Sequence, residues 1–78
     1  MLHQSTETAL MIQSNVKFIM KQKKITYAML ESATGLSSQT ITRARGPRIR
    51  EISLDKLATI AQALGVSIKD LFDEGEIH

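Results

Sequence analysis

A short capping pattern recurs four times along this chain of 78 residues and limits what the chain can fold into. In each copy an apolar residue precedes a Ser or Thr, and a second apolar residue follows four positions after that hydroxyl. Such hydroxyls accept hydrogen bonds from the free N–H groups at a helix start, and the flanking apolar residues pack together. Four copies therefore predict four helix starts. They are Ile25-Thr26 with Leu30, Leu36-Ser37 with Ile41, Ile52-Ser53 with Leu57, and Val66-Ser67 with Leu71.

Other helix signals extend this pattern, so that the whole chain is predicted to form one domain, a compact all-α bundle of five helices. Ser5 or Thr6 can cap an additional first helix, and Gly65 suits the left-handed end of the fourth. Residues 1–5 are expected to be disordered, and 74–78 to form a short acidic tail. The predicted helices lie near 7–23, 26–33, 37–45, 53–64 and 67–73.

Apolar periodicity predicts which faces of these helices are buried. Phe18 falls off the main apolar stripe of the first helix and is expected to be partly buried against neighbouring helices. Ile60 lies at the edge of the stripe of the fourth helix. The inward residues predicted for these two helices are Ile12, Val16, Ile19 and Met20, and Leu54, Leu57, Ala58, Ala61 and Leu64.

The stretch from 26 to 46 has the pattern of a helix, a tight turn and a second helix. Gly35 lies where the chain must turn, Leu36 returns to the core, and Ile41 and Ala44 face inward. Hydroxyls, an amide and an arginine point outward from the second helix, and such groups suit the edges of base pairs. The arrangement is typical of a helix-turn-helix that reads DNA. The candidate base-reading residues are Ser37, Ser38, Gln39, Thr42 and Arg43.

Basic residues are concentrated around this motif. From Lys17 to Arg50 there are eight Lys and Arg residues and one acid, Glu31, which favours a polyanion-binding surface over an unevenly charged solvated face. Helix N–H groups near Tyr27 can bind phosphate. In the loop after the motif, arginines alternate with isoleucines and are predicted to point outward, as phosphate contacts or as an ordinary solubilising loop. The candidate phosphate contacts are Lys24, Tyr27, Arg45, Arg48 and Arg50.

Residues for catalysis or metal binding do not form recognisable patterns. The chain has no cysteine, and its two histidines, His3 and His78, stand at opposite ends without neighbouring ligands. Metalloprotease, phosphate-loop and serine-hydrolase motifs are absent from the sequence. No run is long and apolar enough to span a bilayer, and no signal peptide is visible. We therefore expect a soluble cytoplasmic protein that is not an enzyme and has no cofactor.

A longer series of residues matches a known family in its order and spacing. The series is Thr26, Leu30, Gly35, Leu36, Ser37, Thr40, Ile41 and Arg43, then Ser53, Leu54, Leu57, Ile60, Ala61, Leu64, Gly65, Val66, Leu71 and Phe72. Over roughly residues 15–72 the chain resembles the Cro and lambda-repressor-like group of helix-turn-helix regulators. The chain departs from that pattern at several positions. Tyr27 stands where Gln is usual, Glu31 where a small residue is usual, and Thr34 where an apolar residue is common. The loop after Ala44 is also about one residue longer than usual and lacks the common Glu.

Glu31 is the acid of the basic block, and it lies where the two motif helices usually approach each other. An unpaired buried carboxylate would be costly there. We expect it to pair with Arg43 or Arg45, with Lys24 as another option.

The resemblance implies a sequence-specific transcriptional regulator, a phage or bacterial repressor whose third helix reads operator half-sites in double-stranded DNA. A restriction–modification controller protein and an antitoxin that represses its own operon would look the same. A protein-interaction module on this scaffold is the alternative from another class. A homodimer on a palindromic operator is expected, and a toxin or RNA polymerase partner stays open. The candidate dimerisation residues are Leu71, Phe72 and Ile77, and Leu10 and Met11 in the first helix.

Overall fold

The computed structural model describes residues 13–73, which form a mostly helical fold with a small two-stranded sheet. Within this range no helix has the length and apolar character needed to cross a membrane. In chain order the elements are β1 (Gln13–Ser14), α1 (Val16–Lys23), α2 (Tyr27–Thr34), α3 (Ser38–Ala44), a first 3₁₀ helix (Pro47–Glu51), α4 (Leu54–Leu64), a second 3₁₀ helix (Ile68–Leu71) and β2 (Phe72–Asp73).

Three of the four predicted caps are confirmed by side-chain hydrogen bonds. In each, the hydroxyl oxygen accepts from the backbone N–H three residues later, which satisfies a donor that the helix itself leaves free. The pairs are Thr26 with Met29 at 3.1 Å, Ser37 with Thr40 at 3.2 Å, and Ser53 with Lys56 at 3.4 Å.

The fourth start, at Ser67, introduces a 3₁₀ helix of four residues in place of the predicted α-helix over 67–73. There the backbone N–H of Ser67 donates to the carboxylate of Asp70 at 3.0 Å. This bond satisfies the backbone N–H of Ser67 at the start of the helix. The chain leaves the helix at Phe72, whose extended backbone starts β2.

The sheet is the main departure from the predicted all-α bundle. Gln13 pairs with Asp73 and Ser14 with Phe72 in an antiparallel ladder. Two residues are too few to show the alternation that identifies a strand in sequence. Helix α1 begins at Val16, after this strand, and does not extend continuously back to residue 7 as predicted. Residues 1–12, including the proposed caps Ser5 and Thr6 and the proposed core residue Ile12, lie outside the described range, as does the acidic tail.

Asn15 and Ser14 join this sheet to the rest of the fold. The backbone N–H of Asn15 donates to the carbonyl of Leu71 at 2.8 Å, and its side-chain amide donates to the carbonyl of Asp70 at 3.1 Å. The hydroxyl of Ser14 donates to the carbonyl of Ala44, the last residue of α3. Hydrogen bonds thereby join the start of the described chain both to the second 3₁₀ helix near its C-terminal end and to α3.

The core receives side chains from every α-helix and from both 3₁₀ helices, and it contains no polar or charged residue among those described. Gly35 and Gly65 both have φ of +74°, so the helix ends predicted at these glycines adopt the left-handed conformation that glycine favours. The buried residues are Val16, Ile19, Met20, Leu30, Ile41, Ala44, Ile49, Leu57, Ile60, Ala61, Leu64 and Leu71.

Several predictions of burial were wrong. Leu54 is 69% exposed because it is the first residue of α4, before the helix meets the core, and Ala58 is exposed too. Ile60 is fully buried and not at an edge. Phe18 is 60% exposed, because Val16, Ile19 and Met20 place the buried side of α1 away from it. Leu71, a proposed dimerisation residue, is completely buried in the core.

Truncation of Leu71 should therefore destabilise the domain far more than truncation of Leu54. Leu71→Ala removes a fully buried side chain and is expected to cost about 2–5 kcal/mol of unfolding free energy. Leu54→Ala removes an exposed side chain and should change it by less than about 0.5 kcal/mol. Urea unfolding followed by circular dichroism measures both. Equal losses would contradict the burial of Leu71.

Candidate nucleic-acid interface

The inner face of α3 is held in the core, and this fixes which side chains point to solvent. Ile41 and Ala44 are completely buried. The turn at Gly35 and Leu36 brings α3 against α2, with Leu36 packed on the core as predicted. All five candidate base-reading residues are exposed, and they are Ser37, Ser38, Gln39, Thr42 and Arg43.

Of these five residues, Ser37 is the one whose hydroxyl caps the N-terminus of α3. Its Oγ accepts from the backbone N–H of Thr40 and lies 3.1 Å from Thr40 Oγ1. Ser38, Gln39 and Arg43 have no side-chain hydrogen bond to another residue of the described chain, so their polar groups are available to a ligand. The hydroxyl of Thr42 lies within hydrogen-bond distance of the Tyr27 phenol oxygen.

A shallow groove of about 430 Å³ runs from α3 to the first 3₁₀ helix. In the 3₁₀ helix Ile49 is fully buried and Ile52 just after it is half-buried, whereas Arg48 and Arg50 are exposed. The predicted orientation of this loop is confirmed. The residues that line the groove are Gln39, Thr42, Arg43, Gly46, Pro47 and Arg48.

Glu51 pairs with Arg48 at the end of this 3₁₀ helix. Arg48 donates from Nη2 at 2.8 Å and from Nε at 3.0 Å to the same carboxylate oxygen, Glu51 Oε1. This hydrogen bond lowers the pKa of Glu51, and the charges of Arg43 and Arg50 lower it further. It also raises the pKa of Arg48. An acid just beyond the basic block thus lies among these arginines, and its place there was not predicted from the sequence.

A second depression, of about 310 Å³, lies at the N-terminus of α2. The first N–H groups of a helix have no partner within it, so this end attracts anions. Lys17 and Lys21 lie here and were not among the candidate site residues. Their spacing of four, which puts them on one side of a helix, is the signal that would have found them. The lining residues are Lys17, Met20, Lys21, Ile25, Thr26, Tyr27 and Arg45.

Tyr27 connects this depression to α3. The guanidinium carbon of Arg45 lies 4.6 Å from the centroid of the Tyr27 ring, a cation–π contact. The phenol oxygen lies 3.1 Å from Thr42 Oγ1. Arg45 Nε is buried without a hydrogen-bond partner in the described part of the chain. Arg45 is thus positioned by an aromatic ring and not by an acid.

The expected ion pair of Glu31 is absent. Its side chain is half-buried, and within residues 13–73 its carboxylate forms no salt bridge with Arg43, Arg45 or Lys24. Arg45 is instead held over the Tyr27 ring, and Arg43 points to solvent.

Lys24 ends α1 in the left-handed conformation, with φ of +60°, and its side chain is exposed. It does not line either depression. Of the proposed dimerisation residues, Leu71 fills the core and Phe72 is half-buried in β2. Leu10, Met11 and Ile77 lie outside the described residues.

The helix-turn-helix, the solvent-facing polar side chains of α3 and the adjoining arginines define a DNA-binding domain of the helix-turn-helix class. The chain belongs to the Cro/C1-type HTH DNA-binding domain family, whose family model matches residues 15–73. This confirms the resemblance seen in the sequence. A comparison with curated proteins found no significant match.

Removal of the Glu51 charge should strengthen binding to DNA of any sequence. Glu51→Gln weakens the pairing with Arg48 and deletes a negative charge beside Arg43, so affinity for random duplex DNA should rise by about threefold, the order expected for one exposed charge. Electrophoretic mobility shift at low salt measures the effect, which added salt should diminish.

Asp55→Asn provides the matched control, since it removes the same charge from an exposed position that does not line the groove. The same gain in both variants would show that net charge, and not the pairing of Arg48, accounts for the effect.

Proposed function

We propose that this protein is a transcriptional regulator that binds specific sequences in double-stranded DNA by inserting α3 into the major groove. The observation that carries the proposal is the burial of Ile41 and Ala44, because it leaves the polar side of α3 outward beside a basic groove. Groups on an exposed helix at this position of a helix-turn-helix are placed to contact base edges.

Gln39 and Arg43 supply the most specific polar chemistry on this face. A glutamine amide can donate to and accept from adenine in a bidentate manner, and an arginine can donate twice to guanine. Both side chains are exposed, and neither forms a side-chain hydrogen bond or a salt bridge with another described residue. We therefore assign base reading to these two residues, with Ser38 as a hydroxyl contact at the start of the helix.

Contacts to DNA phosphates on either side of α3 would set the position of this helix in the major groove. At the N-terminus of α2, free N–H groups are surrounded by Lys17, Lys21 and Arg45. On the other side, Arg48 and Arg50 are exposed in the 3₁₀ helix. Positive charge on both flanks is the arrangement that a duplex backbone requires.

We further propose that the domain acts as a repressor and binds a palindromic operator as a homodimer, with half-sites about 34 Å apart. Phe72 is the described candidate for the dimer contact, because its side chain retains exposed surface while that of Leu71 does not. A restriction–modification controller or an autoregulatory antitoxin would use the same DNA contacts. Sedimentation of the protein alone and with a two-site duplex tests the stoichiometry.

Binding to random duplex DNA over a range of salt concentrations separates this proposal from the protein-interaction module. A DNA-binding domain must lose affinity as salt rises, because bound cations are released from phosphates. The exposed apolar side chains Phe18, Met29 and Leu54 are what the interaction module would use. Absence of salt-dependent binding would favour that alternative.

Loss of Gln39 or Arg43 should change which sequence is bound. Gln39→Ala and Arg43→Ala are each expected to cost about 1–3 kcal/mol at one base pair and to relax the preference there. Selection from a random duplex pool, followed by affinity measurements on single-base variants, shows the change.

Gln62→Ala is a control for Gln39→Ala, since Gln62 is exposed on α4 and lines neither depression. It should leave the selected sequence unaltered. Equal loss of affinity for selected and random DNA in the Gln39 and Arg43 variants would remove their base-reading role.

Loss of Lys17 and Lys21 should weaken binding to all sequences alike. If each contacts one phosphate, each alanine substitution reduces the slope of log affinity against log salt by about 1. Lys56→Ala, at an exposed position of α4, is the control with the same charge change. An unchanged slope in the Lys17 and Lys21 variants would show that the backbone does not pass over the N-terminus of α2.

A further inference from the structure

We propose that Tyr27 is a positioning residue for base recognition. By bonding to the hydroxyl of Thr42, it turns the methyl group of Thr42 toward the major groove, where that methyl contacts the methyl of a thymine. This inference rests on the proposed function, since it concerns the base-reading face of α3. It begins from the 3.1 Å hydrogen bond between Tyr27 Oη and Thr42 Oγ1, which joins α2 to α3.

Tyr27 is held firmly enough to act as a fixed partner. Its side chain is half-buried and packs against the hydrophobic core. Arg45 covers the ring at 4.6 Å from its centroid. A phenol confined in this way has few rotamers, so its hydroxyl occupies a defined point beside α3.

Thr42 differs from two other helical threonines in what its hydroxyl does. Thr34 donates to the carbonyl of Leu30 at 2.7 Å, and Thr59 donates to the carbonyl of Asp55 at 3.0 Å. This bond to the carbonyl four residues earlier is the common choice for threonine in a helix. Thr42 makes no such bond, and its hydroxyl is paired with Tyr27 instead. The neighbouring helix, and not the backbone of α3, therefore sets its orientation.

Because its hydroxyl bonds to Tyr27, Thr42 presents its methyl group to the major groove of bound DNA. The Cβ of threonine carries one hydroxyl and one methyl, and the hydroxyl of Thr42 is directed to Tyr27. Thr42 is exposed and, with Gln39 and Arg43, lines the shallow groove on the protein surface between α3 and the first 3₁₀ helix. In the major groove a threonine methyl matches the C5 methyl of thymine, an apolar contact that other bases do not offer.

Deoxyuridine tests this assignment, because it lacks the C5 methyl of thymine and keeps the same hydrogen-bonding groups. The duplex preferred by the native protein is selected from a random pool, and each of its thymines is then replaced by deoxyuridine. One replacement in each half-site should weaken binding by about fourfold, the value for removing one methyl group from an apolar contact.

Three substitutions separate the methyl from the hydroxyl. Thr42→Val keeps a methyl at this position and should retain the sensitivity to deoxyuridine, with weaker binding overall. Thr42→Ser removes the methyl and should abolish the sensitivity. Tyr27→Phe keeps the ring under Arg45 but frees the hydroxyl of Thr42, so the sensitivity should fall. Circular dichroism verifies the fold, and Thr59→Val serves as a threonine control on α4.

Two results would overturn this inference and leave the proposed function intact. If the Thr42→Val variant loses the base preference of the native protein and the Thr42→Ser variant keeps it, recognition depends on the hydroxyl of Thr42 and not on its methyl group. Full deoxyuridine sensitivity in Tyr27→Phe would remove the positioning role of Tyr27. Equal binding of every member of the pool would reject the proposed function itself, and it would be evident before any deoxyuridine duplex is made.

Discussion

Burial of the inner face of α3 is the constraint on which the interface depends. Ile41 and Ala44 have no exposed surface, so α3 cannot rotate without bringing apolar side chains into water. The hydroxyl of Ser14 also bonds to the carbonyl of Ala44, at the end where free carbonyls remain. The helix is thus fixed along its inner face and at its C-terminus, and its outer side chains acquire defined positions without any contact of their own to the core.

The cations around α3 are positioned by different means. Arg48 is held by a single carboxylate, Glu51, which reduces its net charge toward a ligand. Arg45 is held by the Tyr27 ring, which orders the guanidinium without neutralising it. Arg48 and Glu51 are both exposed, so their pairing carries no desolvation cost comparable to that of a buried ion pair. The basic surface can therefore be ordered while much of its positive potential is kept.

The parts of this fold that were predictable are those decided by local chemistry. The caps at Thr26, Ser37 and Ser53 and the left-handed Gly35 depend on a few adjacent residues, as does the outward side of α3. The two-residue sheet depends on contact between distant segments and was missed. The positions of Leu71 and Phe18 depend on how elements pack, and a change from α- to 3₁₀-helix near Leu71 alters the direction of each side chain. The spacing of Lys17 and Lys21 places them on one side of α1, but their position beside the N-terminus of α2 depends on how the two helices pack.

Tyr27 stands where the phosphate-facing and base-facing halves of the proposed interface meet. Its ring supports Arg45, which lines the depression at the start of α2, while its hydroxyl contacts Thr42 on α3. These two contacts use different parts of one side chain and are therefore chemically separable. Removing the hydroxyl leaves the cation in place, whereas removing the ring disturbs both halves. A single residue can in this way link the orientation of a base-reading helix to the charge that holds the backbone beside it.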